Sequence, residues 1–239
     1  MTSDVQTSTL ELLKRFNQAF PEFYEQFVSS EIQFQNLQLA FELQKTRQPV
    51  IQLQTEAERT HLQFACRNQS SVLSDIFGLI AAYGLTQHNF SLYGQVRLPL
   101  LVFLRLTLSH KGKALSQKGR DSLCRSIRAA LADQVEVEKI SELNLKGGLQ
   151  GLETSFFIDP VFHLPALLVE AESQPSLIYR VMYAIWQEDL LVVNANFMAW
   201  RGRVRLTLYL MGPNGNPIPD YLGQHMAESI KQRLINPQQ

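Results

Sequence analysis

"CRNQSSVLSDIFGLIAAYGL" (Cys66–Leu85) is the stretch that decides the fold, because a similar stretch returns as "AESQPSLIYRVMYAIWQEDL" (Ala171–Leu190). With an offset of 105 residues, the two copies align without a gap from their first strand into their third element. The identical pairs include Leu62 and Leu167, Gln69 and Gln174, Ser71 and Ser176, Ile80 and Ile185, Leu85 and Leu190, and Asn89 and Asn194. Identity, element order and spacing agree, which indicates an internal duplication.

The first copy reads as strand, helix, strand, strand, helix. Alternating apolar residues predict a strand in "HLQFAC" (61–66), and a helical spacing predicts a helix that Ser70 or Ser71 caps and Gly84 ends. Two strands joined by a hairpin around Gly94-Gln95 follow, the second of them beginning near Arg97. The copy then continues with a helix in "QKGRDSLCRSIRAALAD" (117–133) and a closing edge strand in "VEVEKI" (135–140).

The second copy repeats this order after a joint that extends from Lys146 to Pro165 and contains one strand, "TSFFI" (154–158). The successive elements are "ALLVEA", "PSLIYRVMYAIWQE", "LLVVNANFMAW", "RVRLTLYLM" and "YLGQHMAESIKQRLI". Because this order has short connections, it predicts two ferredoxin-like βαββα units with antiparallel sheets. The expected fold class is therefore α+β.

An N-terminal helical segment precedes the two units. Ser8 or Thr9 is expected to cap its first helix, and Pro21 to start one continuous second helix that extends to Lys45. The apolar positions of the second helix should pack on the rest of the protein; they are Phe27, Phe34, Leu37, Phe41 and Leu43. "VIQLQ" (50–54) alternates as a strand does. The expected domains are 1–50, 51–145 and 146–239.

Composition excludes several classes of function. The 22 basic and 22 acidic residues cancel, so there is no electrostatic case for nucleic acid or an anionic membrane. The longest apolar run, "LPLLVFL" (98–104), is far shorter than the ~20 residues that span a bilayer. Cys66 and Cys124 lie far apart, which fits a reducing cytoplasm. Since no catalytic motif and no metal-ligand spacing occurs, we expect no enzyme activity, no metal and no cofactor.

Both copies resemble ACT domains, the small regulatory modules that sense amino acids. Asn68–Leu73 and Ser173–Ile178 stand where the family has a loop of the type Asp-Arg-Pro-Gly-Leu-Leu. Gly84, Leu85, His88 and Asn89 echo its second strand, and "WRGRV" and "GPNGNPI" resemble loops of bacterial uridylyltransferases that read glutamine status. The layout also resembles the N-terminal region of the large NAD-specific glutamate dehydrogenases. Both copies depart from the family by having serine, Ser71 or Ser176, where it has glycine.

The resemblance implies two ACT-type units that bind an amino acid. A ligand carboxylate would favour the free N–H groups at the start of each first helix, and an amide on the second strand could take its ammonium group. Gln87, Asn89 and Ser91 are expected to share one face, as are Asn194 and Asn196. The candidate ligand-binding residues are Asn68, Gln69, Ser70, Ser71, Asn89, Ser173, Gln174, Pro175, Ser176 and Asn194. The alternative is that the serines only cap helices and the asparagines only pair strands.

The expected function is regulatory and not catalytic. The chain would be a cytoplasmic homodimer that senses an amino acid in nitrogen or amino-acid metabolism and acts on a partner enzyme. The alternatives are an interaction scaffold, or a regulatory subunit, whose ACT fold no longer binds a ligand. The serines in place of glycine favour these alternatives, because a Cβ and a hydroxyl narrow the place where the family's ligand lies.

Overall fold

A computed structural model describes residues 2–135, 137, 149–174 and 176–236, and it belongs to the α+β class, as predicted. The helices are α1 (Thr2–Asn17), α2 (Phe23–Phe27), α3 (Ser30–Thr46), α4 (Ser70–Ala82), α5 (Gln117–Leu131), α6 (Leu177–Gln187) and α7 (Asp220–Ile235). The strands are β1 (Val50–Glu56), β2 (Arg59–Arg67), β3 (Thr86–Gly94), β4 (Leu101–Ser109), β5 (Glu153–Ile158), β6 (Pro165–Glu172), β7 (Leu191–Trp200) and β8 (Arg203–Met211). All eight strands form one antiparallel sheet in the order β1-β2-β4-β3-β7-β8-β6-β5.

The two halves of the sheet have the same element order, ββαββα. Each half also contains a β-bulge in its third strand, between Gln87 and Asn89 in β3 and between Val192 and Asn194 in β7. The bulges are separated by the same 105 residues that separate the two copies in the sequence. A bulge inserts one residue and reverses the faces of the residues beyond it, so its repetition at matched positions supports the duplication.

The outer edges of the sheet are formed by strands that precede each predicted unit. β1 pairs with β2 at one edge, and β5 pairs with β6 at the other. A tight turn at Ala57, whose φ is 49°, joins β1 and β2 as a hairpin. Of the predicted edge strand at 135–140, residues 136 and 138–140 lie outside the described residues, as do 146–148 of the joint. The edge position beside β2 belongs to β1.

β3 and β7 meet at a short seam in the middle of the sheet, where Leu92 pairs with Ala195 and Tyr93 pairs with Asn194. Continuing this register places Ser91 opposite Asn196. These two positions match in the repeat, so a local twofold axis relates the halves at this point. On the helix-covered face, the rings of Phe90 and Phe197 approach to 5.5 Å across the seam.

Helices α4, α5, α6 and α7 cover one face of the sheet and share one continuous core with both halves. Leu62, Phe64, Ile76 and Leu208 are completely buried there. Each such side chain contributes about 1.5–3 kcal/mol through its removal from water. α4 and α6 pack against each other above the seam. The two halves of the sheet therefore share one hydrophobic core.

Helices α1, α2 and α3 lie on the opposite face, mainly over the first half, and Phe23 of α2 also packs on Phe162 and Tyr209 of the second half. Phe16, Phe20 and Tyr24 form an aromatic cluster that packs on Phe103 of β4. α1 begins at Thr2, so Ser8 and Thr9 lie within the helix and the predicted cap is wrong.

The predicted second helix is two helices. Val28 is extended, with φ −94° and ψ 130°, and the Ser29 hydroxyl accepts a hydrogen bond from the Ile32 N–H at 3.4 Å to start α3. The predicted apolar face is also wrong, because only Leu37 of its members is buried, while Phe27, Phe34 and Phe41 are 64%, 42% and 47% exposed and Leu43 is half-buried. The polar side chains of Gln33 and Asn36 are buried instead. Asn17 donates to Gln33 at 2.8 Å, and Asn36 donates to the Tyr24 hydroxyl at 2.9 Å.

Three further expectations concern the end of α4, the start of β4 and helices that could cross a membrane. Gly84 has φ 62° after α4, which is the left-handed conformation expected of a helix-ending glycine. β4 begins at Leu101, later than predicted, since Pro99 has no N–H for the sheet. None of the described helices has both the length and the apolar composition that crossing a membrane requires.

Candidate functional site

Asn89 and Asn194 line the same cavity, of about 600 Å³, on the α1–α3 face of the sheet at the seam. We call it the seam cavity. Its floor is formed by strand residues of both halves: Asn89, Ser91, Tyr93, Asn194, Asn196 and Thr207. Its roof is formed by Phe23, Phe27 and Val28 from α2 and its end, and by Phe162 from the β5–β6 connection. The volume lies within the range of about 300–1,000 Å³ that small-molecule sites occupy.

The bulges decide which side chains reach this cavity. Gln87 pairs with Leu108, whose side chain is in the helix-covered core, whereas Asn89 pairs with Thr107 on the opposite face. The expectation that Gln87 shares the face of Asn89 and Ser91 is therefore wrong. Asn194 and Asn196 do share one face, because they pair with Tyr209 and Thr207.

The polar groups of the floor are largely free to bind a ligand. Within the described ranges, the side chains of Asn89, Ser91 and Asn196 make no hydrogen bond to the protein. The buried Asn194 uses its Oδ1 to accept from the N–H of Ala195 at 2.8 Å, which leaves its amide N–H groups as donors. A polar floor under an aromatic roof suits a small ligand with polar and apolar parts.

A second, polar cavity of about 540 Å³ adjoins the seam cavity, and Asn89 and Ser91 line both. Arg105 lies in this second cavity and is half-buried. Its Nη1 donates to Gln35 Oε1 at 2.7 Å and its Nη2 to Asn36 Oδ1 at 3.1 Å. Both partners are neutral amides, and no carboxylate in the described part of the chain lies within ion-pair distance of Arg105.

Arg105 is therefore a candidate anchor for an anion. Burial lowers the pKa of its guanidinium group, because the charge loses hydration that amide oxygens replace only in part. Its Nε is buried without a partner among the described residues. A ligand carboxylate near Ser91 would offset this cost. By contrast, Arg205 of the seam cavity already pairs with Glu170 and lies 5.5 Å from the Trp200 ring centroid.

The start of α4 lies apart from the seam cavity and contacts the second half. Gln69 is its N-cap residue and makes no side-chain cap, so the prediction that Ser70 or Ser71 caps the helix is wrong. Ser70 donates instead to Asp189 Oδ1 at 3.0 Å, and the half-buried Ser71 lies in the first turn. Asn68 is buried and donates to the carbonyl of Val192 at 3.2 Å. These contacts place the helix start against the α6–β7 turn.

The start of α6 is also separate from the seam cavity. The N–H of Ser173 donates to the carbonyl of Gly202 at 2.7 Å, and the carbonyl of Gln174 accepts from the N–H of Leu177. Ser176 is the buried N-cap residue and makes no side-chain cap. Pro175 lies outside the described residues. Of the ten predicted residues, the structure brings only Asn89 and Asn194 to the seam cavity.

Sequence reasoning missed the roof of the cavity, which depends on Asp159. Its Oδ1 accepts from the N–H groups of Val161 at 2.8 Å and Phe162 at 3.0 Å, and its Oδ2 accepts from the Tyr209 hydroxyl at 2.9 Å. Burial alone would raise the pKa of Asp159, but these hydrogen bonds lower it overall. Asp159 and Pro160 lie in the predicted joint, and nothing in the sequence indicates that Phe162 covers a cavity.

The described residues contain no group of three or more His, Cys, Asp or Glu side chains that could hold a metal ion. Cys66 is buried, and burial raises the pKa of its thiol, so that it is neutral near pH 7.

We expect Ellman's reagent at pH 8 to label one thiol per native chain, the half-buried Cys124, and two thiols in 6 M guanidinium chloride. The reason is that the reagent reacts with an accessible thiolate, which the buried Cys66 does not present. The Cys124→Ser variant is the control, and it should show almost no labelling until unfolded. Rapid labelling of Cys66 in that variant would contradict the buried position.

No protein-family model matches the chain, and a search of curated proteins finds no similar sequence.

Proposed function

We propose that this protein is a non-catalytic regulator built from two ACT-type, ferredoxin-like units that binds an amino acid in the seam cavity. The observation that carries the proposal is that Asn89 and Asn194, which occupy matched positions of the two copies, line one cavity. Their free amide groups come from both halves, so a ligand between them would sense how the halves are packed.

The lining of the two adjoining cavities fits the three parts of an amino acid. The amide oxygens of Asn89 and Asn196 and the Ser91 hydroxyl suit the ammonium group, and Arg105 suits the carboxylate. The aromatic roof, which includes Phe23 and Phe162, suits the apolar part of a side chain. The ligand would therefore lie across β3, with its charged groups toward β4.

Regulation would follow from differential binding to two packings of the chain. The floor belongs to both halves, whereas the α2 part of the roof belongs to the N-terminal segment. A ligand that contacts all three stabilises the packing in which they are close, and it shifts the population only by its differential affinity. The proposed regulator is a cytoplasmic homodimer that acts on a partner enzyme of nitrogen or amino-acid metabolism.

A thermal-shift panel of the twenty amino acids and 2-oxoglutarate is expected to identify one ligand or one close group of ligands. At ~100 times its dissociation constant, a ligand adds about 2.7 kcal/mol of stability. For a chain of this size, that raises the midpoint by roughly 5–10 °C. Asn89→Ala should weaken binding about 10-fold or more, because it removes a hydrogen bond to the charged ammonium group, and Asn194→Ala should weaken it up to about 10-fold through the loss of neutral amide donors.

Asn236→Ala is the matched control, since Asn236 is an exposed residue at the end of α7. It should leave the shift unchanged. A panel without any shift, or a shift that both cavity variants retain in full, would contradict the proposal. Light scattering after size-exclusion chromatography tests the homodimer separately.

A scaffold or regulatory subunit without a ligand is the second candidate, and the start of α4 favours it. Asp189 and the carbonyl of Val192 already engage Ser70 and Asn68 at this place. Ser71 and Ser176 also stand where the ACT family has glycine. This candidate predicts a flat panel for the wild type, together with a partner protein whose binding survives Asn89→Ala and Asn194→Ala.

A further inference from the structure

A further cavity, of about 890 Å³, lies between α1, α3 and the start of α4, and it is larger than the seam cavity. We call it the basic cavity. It shares no lining residue with the seam cavity or the polar cavity beside it. Its volume is within the range of small-molecule sites. It is therefore a separate candidate for binding.

Three arginines line the basic cavity: Arg15 in the last turn of α1, Arg47 directly after α3, and Arg67 at the end of β2. All three are exposed, and none makes a side-chain hydrogen bond or an ion pair within the ranges that the structure describes. Neither Asp nor Glu is among the described residues that line this cavity. The cavity thus carries positive charge without a counter-charge of its own, which favours an anion.

The remaining walls are largely apolar. Phe16, Leu37 and Leu101 form part of the interior, while Phe41 is 47% and Leu98 82% exposed. Exposed large apolar side chains beside a concave surface indicate a binding site more often than isolated ones do. A purely inorganic anion would not use these walls, and a neutral lipid would not use the arginines.

We infer that the basic cavity binds an amphiphilic monoanion, an aliphatic carboxylate whose chain lies against the apolar walls and whose carboxylate lies among Arg15, Arg47 and Arg67. Guanidinium groups bind carboxylates with paired N–H donors, and their own side-chain stems can cover part of the chain. Each methylene that enters the cavity contributes through its removal from water. The two parts of the ligand should therefore contribute separately to affinity.

Isothermal titration of the full chain with hexanoate, octanoate and decanoate tests this inference. Affinity should rise about fourfold for each added methylene until the cavity is filled. Decanol should bind at least ~10-fold more weakly than decanoate, because it has the same chain without the charge.

Two variants separate the charge from the walls. The double variant Arg47→Gln, Arg67→Gln should weaken decanoate binding about tenfold, since each exposed ion pair contributes up to about fivefold. The separate variant Phe41→Glu places a negative charge at the mouth of the basic cavity, and it should also weaken decanoate binding. Arg125→Gln on α5, away from the cavity, is the matched control and should bind decanoate as the wild type does. These sites are exposed, so the thermal midpoints should stay near the wild-type value.

Three results would overturn the inference: no binding of decanoate at 1 mM, equal binding of decanoate and decanol, or full binding by the double arginine variant. Because the basic cavity and the seam cavity share no residue, none of these results depends on the amino-acid panel.

Discussion

Phe103→Ala should lower the free energy of unfolding by about 3–5 kcal/mol, the usual cost when a buried aromatic side chain is truncated. Phe103 is completely buried, and its ring lies 5.7 Å from that of Phe16 and 5.8 Å from that of Phe20. The ring therefore attaches the N-terminal helices to β4. Urea unfolding followed by circular dichroism measures the loss.

Phe34→Ala is the matched control for this prediction. Phe34 is 42% exposed on α3, so its truncation should change the free energy of unfolding by no more than about 0.5 kcal/mol. A decrease of less than 1 kcal/mol in the free energy of unfolding of Phe103→Ala would contradict the described packing of the N-terminal helices on the sheet.

Gly94→Ala should lower the free energy of unfolding by about 2–3 kcal/mol, because the seam has no room for a side chain there. An added Cβ would lie 2.9 Å from the Cα of Val193 and 3.0 Å from the carbonyl oxygen of Val192. Both are backbone atoms of β7, so the clash is relieved only if the two halves move apart. Inserting a methyl group into tight packing costs about 1–3 kcal/mol, and the seam has few paired residues to absorb the shift.

Gly119→Ala makes the same chemical change where there is room. Gly119 lies in the first turn of α5, and the nearest atom to an added Cβ is the Ser116 hydroxyl at 3.4 Å. Because alanine is the better helix former, this variant should gain up to about 1 kcal/mol. Urea unfolding should show a lower free energy of unfolding for Gly94→Ala and a higher one for Gly119→Ala. Equal stability of the two variants would contradict the close packing of β3 on β7.

The order of elements was predictable because period-two and helical patterns survive in each copy. The repeat alone places Asn89 and Asn194 at matched positions of the two copies. The predicted face of Gln87 is wrong because a bulge inserts one residue into β3 without a clear sequence signal. The inserted residue reverses the alternation of side chains between the two faces of the sheet. The predicted second helix failed where Val28 is extended, because Ser29 can serve equally as a helix residue or as a cap.

The roof and the charge of the sites could not be predicted because they come from segments distant in sequence. Phe23 lines the seam cavity because the N-terminal segment packs on the sheet, where the Phe23 ring lies near Phe162 and Tyr209 of the second half. Arg105 is an unremarkable position in a strand until Gln35 and Asn36 of α3 surround it with neutral amides. Tertiary packing, which periodicity does not encode, decides both.

The backbone alone would offer a ligand on the local twofold axis at Ser91 and Asn196 two equivalent orientations, but Ser91 pairs with Arg105 whereas Asn196 pairs with Thr207. The cover over the axis is also unequal, because α2 belongs to the N-terminal segment, whereas Phe162 belongs to the β5–β6 connection of the second half. This asymmetry removes the degeneracy. The proposed ligand, if chiral, would therefore be held in one orientation, and each chain would bind one molecule, although its sequence contains the repeated unit twice.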